Sequence, residues 1–349
     1  MLSKGSGRSM VNFQFTKIWI GIHPILGPLF YILFTSDIPD LVHDHPVDYQ
    51  APQPHCSNCG STVCYVDDCT YSHGDKDPAR LSHNLSAQYE CIAEYMAANR
   101  LVINAEKTHL IVMGTKANAV RRQEVTLQAG VHNITPSRTE KLLGGYISEN
   151  LKWKEHLVGS EQSLVRQLSS RLNGLVKVSQ HASFTTRLMV ANGIFLSKLC
   201  YLVQLWGGTE AYLLAHLQVL QNKAARAVTG KSWFTPTRQL LRECKWLNVK
   251  QLVFYQSVLQ VHKVLLSGKP VSIRNKFITD HPVLTRQATG GGLRFGQNYG
   301  ASSELRHKSF HYRGTQGYNR IPADIRKIKN IQTFKNKLKQ WVGTNIPWD

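Results

Sequence analysis

The sequence predicts an α+β chain, on three observations. Residues 9–20 alternate polar and apolar, and Val63–Ser72 is rich in β-branched and aromatic residues on both sides of Asp67 and Asp68. Both patterns read as strand, the second as a tight hairpin. After Trp153 the apolar residues recur at helical spacing instead. The chain has 349 residues, 42% of them hydrophobic and 18% charged, which is enough to bury a sizeable core and too apolar for a disordered basic tail.

In order along the chain, Ile18–Phe34 is the most apolar stretch, seventeen residues interrupted by His23, Pro24, Gly27 and Pro28. A membrane span needs about twenty apolar residues without such breaks, so a buried helix from Pro28 to Phe34 is expected and no membrane segment. His43–Gly60, rich in His, Pro, Asp and Cys, reads as loop. Leu85, Tyr89, Ile92, Tyr95 and Met96 mark a helix over Leu81–Asn99. Leu101–Met113 returns to strand character, and Leu142–Ile147 reads as another short strand. One helix is expected over His156–Ser179, with Leu157, Leu164, Leu168, Leu172 and Leu175 on its stripe, and a second over Phe184–Leu205. Glu210–Thr229 is a third, with Gly230 in the favoured stop position. Thr237–Cys244 and Asn248–Leu266 complete a bundle closed by Gly268 and Pro270, and Ile331–Val342 is a last helix. The expected domains are 1–150, 151–270 and a basic tail over 271–349.

Charge narrows the partners. Forty-two Lys and Arg against twenty-two Asp and Glu leave +20, with a pI near 9.7. A folded chain with that excess favours polyanions, nucleic acid first among them. From Lys263 to the C-terminus there are sixteen Lys and Arg against four Asp and Glu. There Tyr299, Phe310, Tyr312 and Tyr318 are interleaved with Arg306, Lys308, Arg313 and Arg320. Aromatics beside cations suit single-stranded nucleic acid; the same aromatics equally suit packing on the bundle. Lys223, Arg226 and Lys231 form another basic cluster. Seven cysteines, an odd number in a long chain, argue against a disulfide-stapled fold and for a reducing compartment. Localisation is therefore expected to be intracellular, with nucleus and cytoplasm not distinguished.

Two constellations carry chemistry. Asp67 and Asp68 are adjacent carboxylates at a hairpin tip, whose mutual repulsion a divalent cation relieves. Cys56, Cys59, Cys64 and Cys69, with His55 adjacent, have a C-x2-C-x4-C-x4-C spacing similar to a zinc knuckle. Cys64 and Cys69 flank the Asp67–Asp68 turn and could not wrap one metal with the first pair, so zinc at Cys56 and Cys59 is not expected. Cys91, Cys200 and Cys244 fit apolar helical patterns as core thiols.

Taken in order, these segments resemble the non-LTR retrotransposon (LINE-like) reverse transcriptases. Tyr65-Val66-Asp67-Asp68 resembles the family's catalytic motif C. Asn99–Thr108 (NRLVINAEKT) is similar to motif D, with Lys107 near the incoming nucleotide. Leu142–Ile147 (LLGGYI), with Leu151, Trp153 and His156, resembles the primer grip and the start of the thumb. Trp206-Gly207-Gly208 and Leu220–Arg226 resemble the region after the thumb, and Tyr318–Pro322 the C-terminal tail.

The resemblance implies a partial polymerase palm with a YVDD hairpin, then an α-helical thumb and post-thumb bundle, then a basic C-terminal extension. It implies Asp67, Asp68 and Lys107 as catalytic residues, Asp67 and Asp68 holding Mg²⁺ or Mn²⁺, and Tyr65, Gly144, Gly145, Lys223 and Arg226 binding an RNA or DNA template–primer. Two departures stand against full activity. Gly21–Pro28 keeps both ends of the family's G-x-P-Q-G-S-x-L-G-P segment without its Gln-Gly-Ser centre. Residues 1–20 contain no Asp or Glu to serve as the first catalytic aspartate. The expectation is an RNA-directed DNA polymerase-like protein, truncated before that aspartate and inactive alone. The alternatives are a catalytically dead nucleic-acid-binding protein and a relic reading frame without a role.

Overall fold

A computed structural model describes residues 7–16, 61–65, 68–114, 119–278, 294–295 and 303–347. The expected palm helix at Pro28–Phe34, the loop at His43–Gly60, His55, Cys56, Cys59, Tyr299, Val66 and Asp67 lie outside these residues. The chain divides into two compact units, Met1–Lys152 and Trp153–Asp349.

The first unit is built on a mixed sheet. Strand β1 (Gly7–Thr16) runs antiparallel to β3 (Asp68–Asp75) on one side and to β5 (His109–Met113) on the other. Strand β2 (Ser61–Tyr65) closes the hairpin with β3 at one edge. Helix α1 (Pro78–Ala98) follows β3. Asp77 caps its start by accepting from the Ala79 N–H at 3.3 Å, and Pro78 occupies the first turn, where no N–H is needed. Leu81, Leu85, Tyr89, Ile92 and Met96 face one way along this helix and are buried with Cys69, Tyr71, Leu110 and Val112 of the sheet. Arg80 closes the β3–α1 corner, donating to both Asp75 carboxylate oxygens at 2.6 and 2.7 Å. That pairing holds the Asp75 carboxyl near 2, well below the ordinary carboxylate range.

Strand β4 (Val102–Ile103) pairs with the end of β1, and a short helix α2 (Ala119–Gln123) leads to the hairpin β6 (Leu127–Ala129) and β7 (His132–Ile134). Strand β8 (Pro136–Ser137) lies parallel to β5 at the far sheet edge. Strands β9 (Thr139–Leu142) and β10 (Gly145–Ser148) form a second antiparallel ribbon. The stretch expected as one strand, Leu142–Ile147, is therefore the last residue of β9, the turn, and the first three residues of β10. Leu143 and Gly144 sit at its centre with φ of 45° and 79°, the two positive values that a tight hairpin twisted like its strands requires. Glycine adopts that region freely, whereas at Leu143 the branched side chain makes it strained.

The second unit is helical. A single π-type turn at Glu155–Gly159 is separated by Ser160–Ser163 from α3 (Leu164–Ser179), so the expected continuous helix from His156 is two pieces. Leu164, Leu168, Leu172 and Leu175 nevertheless form one buried stripe, as their spacing predicts. The helix expected over Phe184–Leu205 is likewise divided. It comprises α4 (Phe184–Val190), a π-type segment Ala191–Leu196, α5 (Ser197–Cys200) and α6 (Val203–Trp206). The chain breaks at Leu202, at φ 56°, and the Trp206 indole N–H donates to the Tyr201 carbonyl at 2.8 Å across the break.

Helix α7 (Ala211–Thr229) ends on Gly230 in the left-handed region, and α8 (Thr237–Glu243) follows. Helix α9 (Val249–Ser267) opens with a reciprocal box between Asn248 and Gln251 and is the buried spine of the unit. Helix α10 (Val271–Arg274) and the pair β11 (Phe277–Ile278) and β12 (Arg294–Phe295) come next. The chain then continues through α11 (Ser303–Lys308), α12 (Phe310–Arg320), α13 (Ala323–Arg326) and α14 (Ile331–Asn345).

These last helices belong to the core. Phe310, Tyr318, Ile321, Ile325, Phe334, Leu338 and Val342 are buried in one cluster with Trp206, Phe195 and the α9 valines. Packing consumes the aromatics Phe310 and Tyr318, so for these two the bundle reading holds. Among the described residues, no helix is long and apolar enough to cross a membrane.

Candidate functional site

The β2–β3 hairpin sorts its residues by alternation. Tyr65 lies opposite Asp68, Val63 opposite Thr70, and Cys64 opposite Cys69. Side chains on successive residues point to opposite faces, so Tyr65, Asp68, Val63 and Thr70 share one face and Cys64, Cys69 and Tyr71 the other. Cys69 and Tyr71 are buried on the α1 side. Cys64 and Cys69, with Cα atoms 4.1 Å apart, are joined as a disulfide. The cysteine count argued against a disulfide-stapled fold, and this pair is a local link between residues five apart. In a hairpin this tight, directly opposed residues come close enough to pair, whatever the number of cysteines elsewhere. It also removes both residues from any zinc set. Cys244 is buried and Cys200 half-buried, with burial pushing their thiols up to about 12 and about 11; Cys91, expected in the core, is exposed.

The opposite face forms a cleft of about 260 Å³ lined by Val63, Tyr65, Asp68, Thr70, Ser72, Leu142 and Leu143. Two segments far apart in sequence, the Tyr65–Asp68 hairpin and the Leu142–Gly145 turn, thus meet at one place. Tyr65 is 63% exposed, so its ring stands open beside the cleft. Leu143 reaches it from the strained turn, next to Gly144 and Gly145. Lys107 is exposed on a single 3₁₀ turn, Ala105–Lys107, and is not among the lining residues.

Strand β1 adds a position the sequence could not place. Its register sets Gln14 directly opposite Asp68. Asp68 is the one carboxylate among the residues lining the cleft. A hard divalent cation takes six or more oxygen ligands, several from the protein or substrate. Among the described residues, no group of three His, Cys, Asp or Glu could hold a metal ion. The described residues therefore do not by themselves fit a two-metal centre.

Positive charge is segregated between the units. Residues 153–349 carry 29 Lys and Arg against 8 Asp and Glu, or +21, while residues 1–152 carry 13 against 14. Within the helical unit, however, three of the four cations singled out near the C-terminus, Lys308, Arg313 and Arg320, are engaged internally. Lys308 pairs with Glu210 at 3.2 Å and Glu304 at 2.8 Å. Arg313 donates to the Gln204 and Lys308 carbonyls at 2.7 and 3.1 Å, and burial pulls its guanidinium down to about 10. Arg320 lies over the Phe254 ring, 5.6 Å from its centroid. Lys223 is exposed on α7; Arg226, one turn on, lies 4.5 Å from the Trp233 ring centroid.

The chain is 22% identical over 255 residues to the RNA-directed DNA polymerase from mobile element jockey of Drosophila melanogaster, covering 73% of this chain and 26% of that one. It is 24% identical over 258 residues to the probable RNA-directed DNA polymerase from transposon BS, with 72% and 27% covered, and 22% identical over 227 residues to that of transposon X-element, with 64% and 23% covered, both also from Drosophila melanogaster. The chain is thus similar to RNA-directed DNA polymerases of Drosophila mobile elements. The chain spans about a quarter of the length of these relatives. No protein-family model and no solved structure matches it. The likeness supports a reverse-transcriptase-like origin, on a fold of mixed helix and sheet.

Proposed function

We propose that this chain is a reverse-transcriptase-like protein of retrotransposon origin that binds nucleic acid but does not polymerise by itself. One observation carries the reading: the Tyr65–Asp68 hairpin and the Leu142–Gly145 turn, each similar to a polymerase segment, line a single cleft. In this reading the Tyr65 ring and the Gly144–Gly145 backbone contact a template–primer. Lys107 acts near a nucleotide only if the substrate reaches its 3₁₀ turn.

The Asp67–Asp68 pair would hold Mg²⁺ or Mn²⁺ weakly. Two adjacent carboxylates supply part of one coordination sphere, and residues 1–20 hold no Asp or Glu to add to it. Nucleotidyl transfer depends on positioning and on charge neutralisation at the reacting phosphate. A site short of one carboxylate loses both, and its rate falls by orders of magnitude. The +21 of residues 153–349 favours the binding role over the catalytic one.

The test pairs two assays on the 349-residue protein. Affinity for an RNA or DNA template–primer is measured against salt, and primer extension on an RNA template is measured with Mg²⁺ or Mn²⁺. The expected result is binding that weakens steeply with salt, since neutralised phosphates release counterions, and no extension above background. Extension that disappears in Asp67→Asn or Asp68→Asn would overturn the non-polymerising reading. Absence of any binding at low salt would overturn the reading altogether.

A further inference from the structure

The turn between α7 and α8 presents what the C-terminal segment does not: aromatic rings open to solvent beside cations. The Thr235 N–H donates to the Ser232 carbonyl at 3.0 Å, closing a four-residue turn with Trp233 and Phe234 in its two central positions. Pro236 then starts α8, so the turn is held by a helix on each side. Trp233 is 69% exposed and Phe234 is 92% exposed, the most exposed large apolar side chain in the described part of the helical unit.

Such exposure is costly for a purely structural residue, because about 25 cal/mol per Å² of apolar surface is forgone. It is also local. Neither ring belongs to the buried cluster or to the partly buried residues packed against it, and their chain neighbours Lys231, Ser232, Thr235 and Thr237 are polar.

The cations are placed to match. The Arg226 guanidinium lies over the Trp233 ring at 4.5 Å from the centroid and donates to the Trp233 carbonyl at 3.4 Å, which fixes the indole against α7. Arg187 donates to the Ala227 carbonyl at 3.4 Å and comes within 3.0 Å of the Cβ position of Gly230. From 211 through 242 there are five Lys and Arg (Lys223, Arg226, Lys231, Arg238, Arg242) and no Asp or Glu. Glu243 follows and pairs with Lys231. Arginines at the C-terminal end of α7 also offset the negative end of its dipole, but that role does not require an exposed indole and phenyl ring at the turn tip.

We propose that Trp233 and Phe234, projected beside Arg226, form a stacking platform for unpaired bases of a single-stranded nucleic acid. The flanking cations take its phosphates. Every base offers a π-face, so the platform is tolerant of sequence; a duplex, whose bases are already stacked, cannot use it. The proposal deepens the nucleic-acid reading above and rests on it.

The experiment uses the full chain and three fluorescein-labelled ligands: an oligothymidylate, the same strand in a duplex, and an abasic strand of equal length. Binding is followed by anisotropy across a salt series. Trp233→Ala/Phe234→Ala should weaken oligothymidylate binding by at least about tenfold, as expected for lost base–aromatic stacking. It should leave duplex and abasic affinities unchanged, and it should leave the salt slope unchanged because stacking releases no counterions. Trp233→Phe should restore most of the loss. Both rings are exposed, so an unaltered thermal transition shows that the variant is folded. Oligothymidylate affinity equal to the parent's would overturn the platform while leaving the nucleic-acid reading in place. Equal losses on all three ligands would also overturn it, since the rings would then only shape the charged surface. If the parent protein binds none of the three, the platform falls together with the reading beneath it.

Discussion

Replacing Phe334 by Ala tests whether the C-terminal helices are a working part of the helical unit's core. Phe334 is fully buried, and its ring stacks on that of His262 with centroids 3.5 Å apart and planes 4° from parallel. His262 in turn donates from Nε2 to the Ile328 carbonyl at 2.9 Å and accepts at Nδ1 from the Tyr318 hydroxyl at 3.3 Å. One residue thus supports α14 on α9 and also lies against a buried polar network. Truncation of a buried Phe to Ala costs about 3–5 kcal/mol, because lost transfer energy adds to the cavity left behind. In a unit of roughly 200 residues each kcal/mol moves Tm by about 2–4 °C, so a drop of about 6–20 °C follows. Thermal unfolding followed by circular dichroism reads the shift, and hydrogen exchange should show the amides of α14 losing protection first. Lys337→Ala, an exposed change on the same helix, serves as the control and should leave Tm within about 2 °C. A Phe334→Ala drop no larger than the control's would refute the assignment of α14 to the core. Deletion of 271–349 is a poor probe of nucleic-acid binding for the same reason: it uncovers α9, and lost affinity would report unfolding.

Three further outcomes are expected. Burial, then the charge of Lys198, pulls the His156 imidazole down to about 4 from an ordinary 6.5; its contribution to stability is whole above pH 6.5 and is lost as pH falls from there through 4, by at most about 3 kcal/mol. A Tm-against-pH series should show that acid limb, flattened in His156→Gln, and an unchanged limb would contradict it. A Cβ at Gly208 would clash with the Lys308 carbonyl oxygen, a backbone atom that cannot step aside, so Gly208→Ala should destabilise by about 1–3 kcal/mol in chemical denaturation. Asn248→Ala removes one arm of the box that opens α9, at 2.8 Å to the Gln251 N–H, and should lower stability by about 0.5–2 kcal/mol; a neutral result would show the cap to be redundant.

The sequence by itself determined the elements whose information is local. The Leu164–Leu175 stripe and the Gly230 stop follow from the 3.6-residue period and from glycine's freedom at positive φ, and the structure shows both. The resemblance carried by Tyr65–Asp68 and Leu142–Ile147 was legible for the same reason, since short motifs survive as strings. Tertiary structure decided what depends on neighbours from elsewhere in the chain. Alternation cannot say which segment lies across a cleft, so the meeting of Tyr65 with Leu143 comes from packing between two separate sheets, and Gln14's place opposite Asp68 from strand pairing. Interleaved aromatics and cations near the C-terminus read equally as a binding surface or as core, because burial is a property of the partner surface. There α9 supplies that partner and takes Phe310 and Tyr318 inside. Trp233 and Phe234 show the converse: nothing in their local pattern marks them as exposed, and only the closed turn between two packed helices leaves them facing water.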